Sequence, residues 1–229
     1  MSYLQITTKC NMTCEHCGFS CGKRGKHGTY EQILENIEFI EYEYADEMIT
    51  IGGGEPTIHP RFFDILQICL RKFDQVWMAT NGSQTLTMYR LNDIMQGYDF
   101  DYIEFDEYGE PLTEPISLSH NNQLGVTLSL DNFHSPINEG VIKLWKQNKY
   151  DIRDVSRNVL HNGRAARSGA AQKYGCVCPS NIIRPDGSIK MCGCERSPII
   201  GTVKKGIDKK WRNYMLKPKY ENSFCYFGR

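Results

Sequence analysis

Three cysteines near the start of the 229-residue chain, Cys10, Cys14 and Cys17, are spaced so that they can hold one small inorganic group. They follow an alternating run at residues 3–8 that predicts a short strand, and three and two residues separate them. A structural zinc site is closed by four protein ligands. An iron–sulfur cluster held by only three thiolates keeps one iron free to bind another molecule.

A glycine-rich turn follows the second predicted strand, which covers residues 48–51. Glycine permits backbone angles that bring amides and carbonyls against a ligand, and proline fixes the exit of the chain. A lone turn of this composition is often only a tight connection between elements. Its position directly after a strand is therefore the stronger evidence that it binds a ligand. The turn consists of Gly52, Gly53, Gly54, Glu55 and Pro56.

The order of these motifs, CxxxCxxC after a first strand and GGGEP after a second, resembles the radical S-adenosylmethionine (SAM) enzymes. The resemblance implies a [4Fe-4S] cluster on the three cysteines, SAM on its free iron, and the SAM amino group at the glycine turn. Reductive cleavage of SAM in that family gives a 5'-deoxyadenosyl radical that abstracts a substrate hydrogen. His16 departs from the family pattern of an aromatic residue before the third cysteine, which affects adenine packing. The alternative is a partial zinc site or redox-active thiols.

Two later strand ends carry further candidate site residues. Asn81 follows the third predicted strand in a Thr-Asn-Gly sequence, and Ser129 and Asp131 close the fourth in Ser-Leu-Asp. By the same resemblance, Asn81 borders the SAM pocket, while Ser129 and Asp131 contact the ribose and methionyl parts of SAM. His134 titrates near neutrality and is a candidate proton donor or substrate contact, with an ordinary loop histidine as the alternative.

Five cysteines in the C-terminal part of the chain indicate a second metal site. Two pairs flank a predicted hairpin at residues 182–190 with a Pro-Asp-Gly turn, and a fifth lies near the C-terminus. The arrangement resembles the twitch domain, a shortened SPASM domain, which implies an auxiliary [4Fe-4S] cluster. A structural zinc ion is the alternative, and the choice of ligands stays open. The candidate ligands are Cys176, Cys178, Cys192, Cys194 and Cys225.

The elements that must position these residues alternate between strands and helices. This alternation predicts an α/β fold, a partial barrel of about six parallel strands with the active site at their carboxyl ends. Residues 1–170 are expected to form the radical SAM core, and residues 171–229 a small Cys-rich metal-cluster extension. The predicted strands lie at residues 3–8, 48–51, 75–80, 124–130 and 152–155, and the helices at about 29–44, 60–73, 86–95 and 137–147.

Composition and charge indicate the compartment of the protein and the charge of its possible partners. Ten cysteines, no apolar run long enough for a membrane span and no signal peptide predict a reducing cytoplasm and oxygen sensitivity. The net charge is zero, but residues 143–229 carry nineteen basic and six acidic side chains. This asymmetry indicates either a polyanion-binding face or balanced solvated surfaces. A basic segment at residues 163–169 is either an anion-binding turn or a flexible linker.

The sequence is compatible with three classes of function. The twitch resemblance favours a peptide or protein side chain or a small metabolite, with a flavodoxin or ferredoxin as reductant. The short stretch before the first strand leaves no room for a leader-peptide recognition domain, so a peptide substrate is expected to need a separate partner. The basic C-terminal third keeps a nucleotide or a nucleic-acid base, including a hypermodified base, as an alternative. A non-catalytic iron–sulfur or zinc protein for electron transfer or regulation is the third class.

Overall fold

The structure of the protein, a computed structural model, describes most of the chain. The described residues are 2–45, 47–97, 123–134, 136–154, 156, 159–160, 162–171, 181–193 and 197–215. Residues 99–122 and four of the predicted C-terminal ligands, Cys176, Cys178, Cys194 and Cys225, lie outside them. Among the described helices, none has the length and apolarity needed to cross a membrane.

Within these residues, nine strands form one sheet, and helices alternate with its first five strands. The strands are β1 (Ser2–Gln5), β2 (Met48–Gly52), β3 (Gln75–Thr80), β4 (Leu124–Ser129), β5 (Ile152–Arg153), β6 (Ile182–Ile183), β7 (Ser188–Lys190), β8 (Ile199–Thr202) and β9 (Gly206–Ile207). The helices are α1 (Tyr30–Tyr44), α2 (Phe62–Lys72), α3 (Thr85–Met95), α4 (Glu139–Gln147), α5 (Gly163–Ser168) and α6 (Lys209–Met215), with a 3-10 turn at Pro56–Ile58.

Six neighbouring strands of the sheet are parallel, in the order β5-β4-β3-β2-β1-β6. The predicted α/β fold is therefore confirmed. The sixth parallel strand belongs to the predicted hairpin: Tyr3 pairs with Ile182 and Leu4 with Ile183 along the second edge of β1. Strands β7, β8 and β9 then continue the same sheet in antiparallel pairing. Because parallel strands end at one edge, the loops that follow β1 to β4 come together there.

Helix α1 begins at a side-chain cap and buries an apolar face. Thr29 accepts a hydrogen bond from the Gln32 backbone N–H at 3.2 Å, and Ile33, Ile37 and Ile40 are fully buried against the sheet. Burying one such side chain stabilises the fold by about 1.5–3 kcal/mol. Thr29 and Gln32 form only half of a capping box, because the Gln32 side chain donates to Glu35 and Asn36 within the helix instead of accepting from the residue-29 backbone N–H.

The predicted hairpin at residues 182–190 is confirmed and is fixed by its turn. Asp186 accepts hydrogen bonds from the Ser188 backbone N–H at 3.1 Å and hydroxyl at 2.6 Å, and Gly187 has φ +76°. Only glycine adopts that left-handed conformation without strain. Asn36 on α1 donates to the Arg184 carbonyl at 2.9 Å, which joins the hairpin to the helical layer.

Candidate functional site

The loop after β1 holds Cys10, Cys14 and Cys17 and folds back on itself. The Cys10 N–H donates to the Gly22 carbonyl at 3.0 Å, and the Thr8 N–H donates to the Lys26 carbonyl at 2.9 Å. We call residues 6–28 the cysteine loop. Because its two arms pair across the loop, its three central cysteines are confined to one short segment at the carboxyl edge of the sheet.

The three cysteines differ from the others of the described chain in exposure. Cys10, Cys14 and Cys17 are partly exposed, whereas Cys21, Cys69 and Cys192 are buried. Their sulfurs do not all lie within 4.8 Å of one another, since no such cysteine group is found among the described residues. A structural zinc site takes four protein ligands, whereas a [4Fe-4S] cluster held by three thiolates keeps one iron free for another molecule. The three cysteines of this loop fit the second donor set.

The protonation of these thiols is shaped by burial and by one neighbour. Burial, and then the negative charges of Cys10 and Cys17, raise the pKa of Cys14 to about 11. The Cys21 thiol donates a hydrogen bond to Cys17 and so lowers the pKa of Cys17 to about 6. Metal binding requires Cys14 to lose its proton, because the thiolate is the ligand. Nothing in the sequence indicates this contact of Cys21 with Cys17.

The glycine turn lies directly on the cysteine loop. The Gly54 N–H donates to the Thr7 carbonyl at 2.9 Å, and the Glu55 N–H donates to the Lys9 carbonyl at 3.0 Å. A Cβ at position 54 would lie 2.2 Å from the Lys9 carbonyl oxygen, and one at position 53 would lie 2.8 Å from that of Thr7. The turn therefore requires glycine because two backbones approach each other closely.

Glu55 connects the glycine turn to the end of β3. Its carboxylate is buried and accepts from Thr57 N–H at 3.1 Å, Thr57 hydroxyl at 2.6 Å, Thr80 hydroxyl at 2.8 Å and Asn81 N–H at 2.7 Å. Burial raises the pKa of Glu55, and these hydrogen bonds oppose the rise. Three of the four bonds reach Oε1, so Oε2 keeps acceptor capacity for a ligand.

Asn81, directly after β3, reaches into the cysteine loop. Its side-chain amide donates to Asn11 Oδ1 at 3.0 Å and lies 3.9 Å from Cys10 Sγ, and its Oδ1 accepts from the Ser83 N–H at 3.0 Å. Asn81 is buried. Its contact with the first cysteine places it at the rim of the candidate cluster site.

Asp131 and two histidines form a compact polar group beside the cysteine loop. Asp131 Oδ1 accepts from His134 Nδ1 at 2.8 Å and from the Phe133 N–H at 3.0 Å, and the Asp131 side chain is fully buried. His16 stacks on Phe133, with ring centroids 4.5 Å apart, and meets His134 edge-on at 5.0 Å. Ligand atoms of His16, Asp131 and His134 lie within 4.8 Å of one another. We call these three residues the His–Asp group.

Two atoms of the His–Asp group are buried without a hydrogen-bond partner. They are Asp131 Oδ2 and His16 Nδ1, within the described part of the chain. A buried polar atom left unpaired costs about 1–3 kcal/mol, so such atoms mark a place where a ligand completes the bonding. Ser129, at the end of β4 and two residues before Asp131, is buried. Its hydroxyl accepts a hydrogen bond from the Arg153 guanidinium at 3.3 Å.

The C-terminal cysteine site is described at one residue only. Cys192 follows β7 and is buried, and its backbone N–H donates to the Ser197 hydroxyl at 3.0 Å. A cavity of about 340 Å³ lies beside this segment and reaches the end of β1. Its lining includes Gln5 and Phe19 from the first part of the chain, and Arg184 and Lys190 from the hairpin.

Comparisons with known proteins identify relatives of the chain. A family profile of the Radical SAM superfamily matches residues 4–106. The tungsten-containing aldehyde ferredoxin oxidoreductase cofactor-modifying protein of Pyrococcus furiosus is 34% identical over 108 residues, 45% of this chain and 30% of that protein. The antilisterial bacteriocin subtilosin biosynthesis protein AlbA of Bacillus subtilis is 24% identical over 173 residues, 72% of this chain and 37% of AlbA. The chain thus spans well under half of the length of these relatives.

A solved structure shares the fold across nearly the whole chain. The crystal structure of BtrN in complex with AdoMet and 2-DOIA superposes with a TM-score of 0.62 at 13% identity. The match covers 93% of this chain and 84% of BtrN. At this identity the likeness concerns the fold alone. It therefore extends the structural relationship beyond residue 106, where the family profile ends.

Proposed function

The chain belongs to the radical SAM superfamily, and we propose that it uses Cys10, Cys14 and Cys17 to hold a [4Fe-4S] cluster and cleaves SAM there. When bound, the cluster and SAM supply the electron and the 5'-deoxyadenosyl radical that abstracts a substrate hydrogen. The observation that carries the proposal is the direct bonding of the glycine turn and Asn81 to the cysteine loop. This bonding keeps the cluster ligands and the SAM-binding turn in one fixed arrangement before any ligand binds.

The residues proposed to bind SAM follow from the free groups around the cysteine loop. The turn from Gly52 to Pro56 presents backbone groups to the methionyl amino group, and Asn81 borders the pocket. Asp131 Oδ2, buried and unpartnered in the described chain, is suited to accept a hydrogen bond from a SAM hydroxyl. Ser129 supplies a hydroxyl at the same strand end. These residues bind and orient SAM and exclude water from it.

His134 is the proposed acid–base residue of the site. The Asp131 carboxylate can only accept, so His134 Nδ1 carries the hydrogen of their 2.8 Å bond. This bond fixes the orientation of the imidazole and leaves Nε2 available to exchange a proton with a substrate.

An auxiliary [4Fe-4S] cluster is proposed for the C-terminal extension, residues 171–229. Its ligands come from the cysteines at positions 176, 178, 192, 194 and 225, and zinc is the alternative metal. Support comes from the buried Cys192 at the end of the hairpin. Metal analysis of a variant that lacks the first three cysteines separates the two metals: residual iron supports the auxiliary cluster, and zinc without iron contradicts it.

The proposed substrate is a peptide or protein side chain, and a flavodoxin or ferredoxin is the proposed reductant. AlbA acts in the biosynthesis of the bacteriocin subtilosin, which supports the peptide class for a related chain. A second candidate is a nucleotide or another substrate with a phosphate or carboxylate. The cavity lined by Arg184 and Lys190 favours it, because both side chains are cationic.

Anaerobic assay of SAM cleavage tests the proposed function. The reconstituted protein is mixed with dithionite and SAM, and 5'-deoxyadenosine is measured by chromatography and mass spectrometry. We expect product from the wild type and none from Cys14→Ala, whose cluster lacks one ligand. If the wild type assembles its [4Fe-4S] cluster but forms no 5'-deoxyadenosine, the alternative of a non-catalytic iron–sulfur protein holds instead.

A further inference from the structure

Helix α5 contacts the cysteine loop through Arg164. The Arg164 backbone N–H donates to the Cys17 carbonyl at 2.9 Å, and its Nη1 donates to the Cys14 carbonyl at 2.7 Å. Its Nη2 donates to the Cys21 carbonyl. One residue, about 150 positions away in sequence, therefore holds three carbonyls of the loop. Residues 163–168 form a helix whose Arg164 is bonded to the cysteine loop. The segment is therefore neither the flexible linker nor the open anion-binding turn that the sequence suggested.

The surrounding contacts show that the helix is fitted to the loop. Ser168 donates to the Glu15 carbonyl at 3.0 Å. Gly163 has φ +57°, and a Cβ there would lie 2.2 Å from the Gly18 carbonyl oxygen. The backbones of helix and loop are thus in direct contact, which only glycine permits at that point. The backbone of Arg164 is therefore held in a fixed position relative to the cysteine loop.

The location of the guanidinium also has an electrostatic consequence. Arg164 is permanently charged and lies against the backbone of two cysteines of the trio. A bound iron–sulfur cluster with its thiolates gains one negative charge on reduction, and nearby positive charge stabilises that reduced form.

We propose that Arg164 is a positioning residue of the cluster site: it holds Cys14 and Cys17 in ligating geometry and raises the reduction potential of the cluster that they bind. This inference rests on the proposed function, because it requires a [4Fe-4S] cluster on the cysteine trio. It goes further, because it assigns control of cluster assembly and of electron uptake to a residue outside the binding motifs. The two effects are separable, since the hydrogen bonds depend on shape and the potential depends on charge.

Three variants separate these effects. Arg164→Gln removes the charge and the fork of donors, Arg164→Lys keeps the charge but loses the fork, and Arg71→Gln is a matched control on the exposed end of α2. The full-length proteins are reconstituted anaerobically with iron and sulfide. Iron per chain is measured, and the reduced cluster is followed by electron paramagnetic resonance during a redox titration. Circular dichroism verifies the fold of each variant.

The expected results are distinct for each variant. At one applied potential, the ratio of reduced to oxidised cluster falls about tenfold in Arg164→Gln, which is 59 mV for a one-electron couple. Arg164→Lys keeps the wild-type potential but assembles less cluster, and Arg71→Gln behaves as the wild type. Wild-type iron content and potential in Arg164→Gln overturn the inference. If Arg164→Gln does not fold, a wild-type iron content in Arg164→Lys overturns the positioning role, and a shifted potential there overturns the electrostatic role.

Failure of this inference is distinguishable from failure of the proposed function. A wild-type protein that assembles no [4Fe-4S] cluster on the trio refutes both. A wild type that assembles the cluster and forms 5'-deoxyadenosine, with Arg164→Gln identical to it in iron content and potential, refutes the role of Arg164 alone.

Discussion

Asp131 and His134 share a 2.8 Å hydrogen bond on Asp131 Oδ1, while Asp131 Oδ2 stays buried and unpartnered among the described residues. One oxygen therefore orients the imidazole, and the other is available to a ligand. Because the two roles belong to different oxygens of one carboxylate, they can be separated by substitution. This relationship underlies the first prediction.

Asp131→Asn is expected to weaken SAM binding about tenfold without loss of cluster iron. The asparagine oxygen is expected to take the Oδ1 position, where His134 and the Phe133 N–H both donate, so the hydroxyl of SAM loses its acceptor, at a cost of about 1–3 kcal/mol. The apparent KM for SAM in 5'-deoxyadenosine formation measures the effect. Asp93→Asn on the exposed face of α3 is the control. An unchanged KM in Asp131→Asn contradicts the proposed role.

Cys21→Ala is expected to keep its cluster, in contrast to Cys17→Ala. Cys21 is buried and donates to Cys17, so it tunes the ligand without being one of the three. Loss of its hydrogen bond removes the main cause that lowers the pKa of Cys17. Iron per chain and the charge-transfer absorption of the cluster measure the outcome. Iron content as low as that of Cys17→Ala would instead make Cys21 a ligand.

The sequence predicted most of the parallel sheet, because its strands are short apolar or alternating runs between turn residues. Strand β3 was predicted with its observed bounds, Gln75–Thr80. The first strand was predicted to run to residue 8 but ends at Gln5. The alternating pattern continues past this point, yet Thr7 and Lys9 pair across the cysteine loop with His27 and Gly22. Pairing within a loop depends on how the loop closes, which a local pattern does not contain.

The site was predictable where it depends on strand ends and unpredictable where it depends on loop closure. The glycine turn and Asn81 could be placed beside the cysteines because parallel strands share a carboxyl edge. The contact of Arg164 with Cys14 joins positions 150 residues apart, and residues 163–169 carry no periodic signal. For the His–Asp group, Asp131 and His134 were candidates because they follow the fourth strand, and position 16 departed from the family pattern. The sequence did not predict that His16 lies against the other two.

Gly54→Ala is expected to destabilise the protein by about 1–3 kcal/mol and to lower cluster occupancy. The new Cβ would lie 2.2 Å from the Lys9 carbonyl oxygen and 2.9 Å from Cys10 Cβ, so the glycine turn must move away from the cysteine loop. Urea unfolding and iron per chain measure the two effects. Gly18→Ala is the control, because its Cβ would meet nothing closer than 3.7 Å. Equal stability of the two variants would refute the close-contact argument.

The buried imidazole of His59 makes the stability of the folded protein depend on pH. His59 Nε2 donates to the Gly28 carbonyl at 3.1 Å, and Nδ1 accepts from the Arg61 N–H at 3.1 Å. Burial lowers the pKa of His59 below its ordinary value of 6.5, because the protonated form loses solvation and Nδ1 can no longer accept. The unfolded chain then binds more protons than the folded chain as pH falls through 6.5, so the free energy of unfolding decreases in that range.

Urea unfolding of the metal-free, reduced protein at pH 7.5 and 5.5 measures this dependence. We expect the wild type to lose stability at the lower pH, and His59→Gln to be less stable at pH 7.5 but to change less between the two values. Glutamine offers a donor and an acceptor without a titrating group, so it removes the proton linkage while keeping part of the bonding. The same loss of stability in both proteins would assign the pH dependence to other groups, such as His27, whose pKa is also lowered by burial.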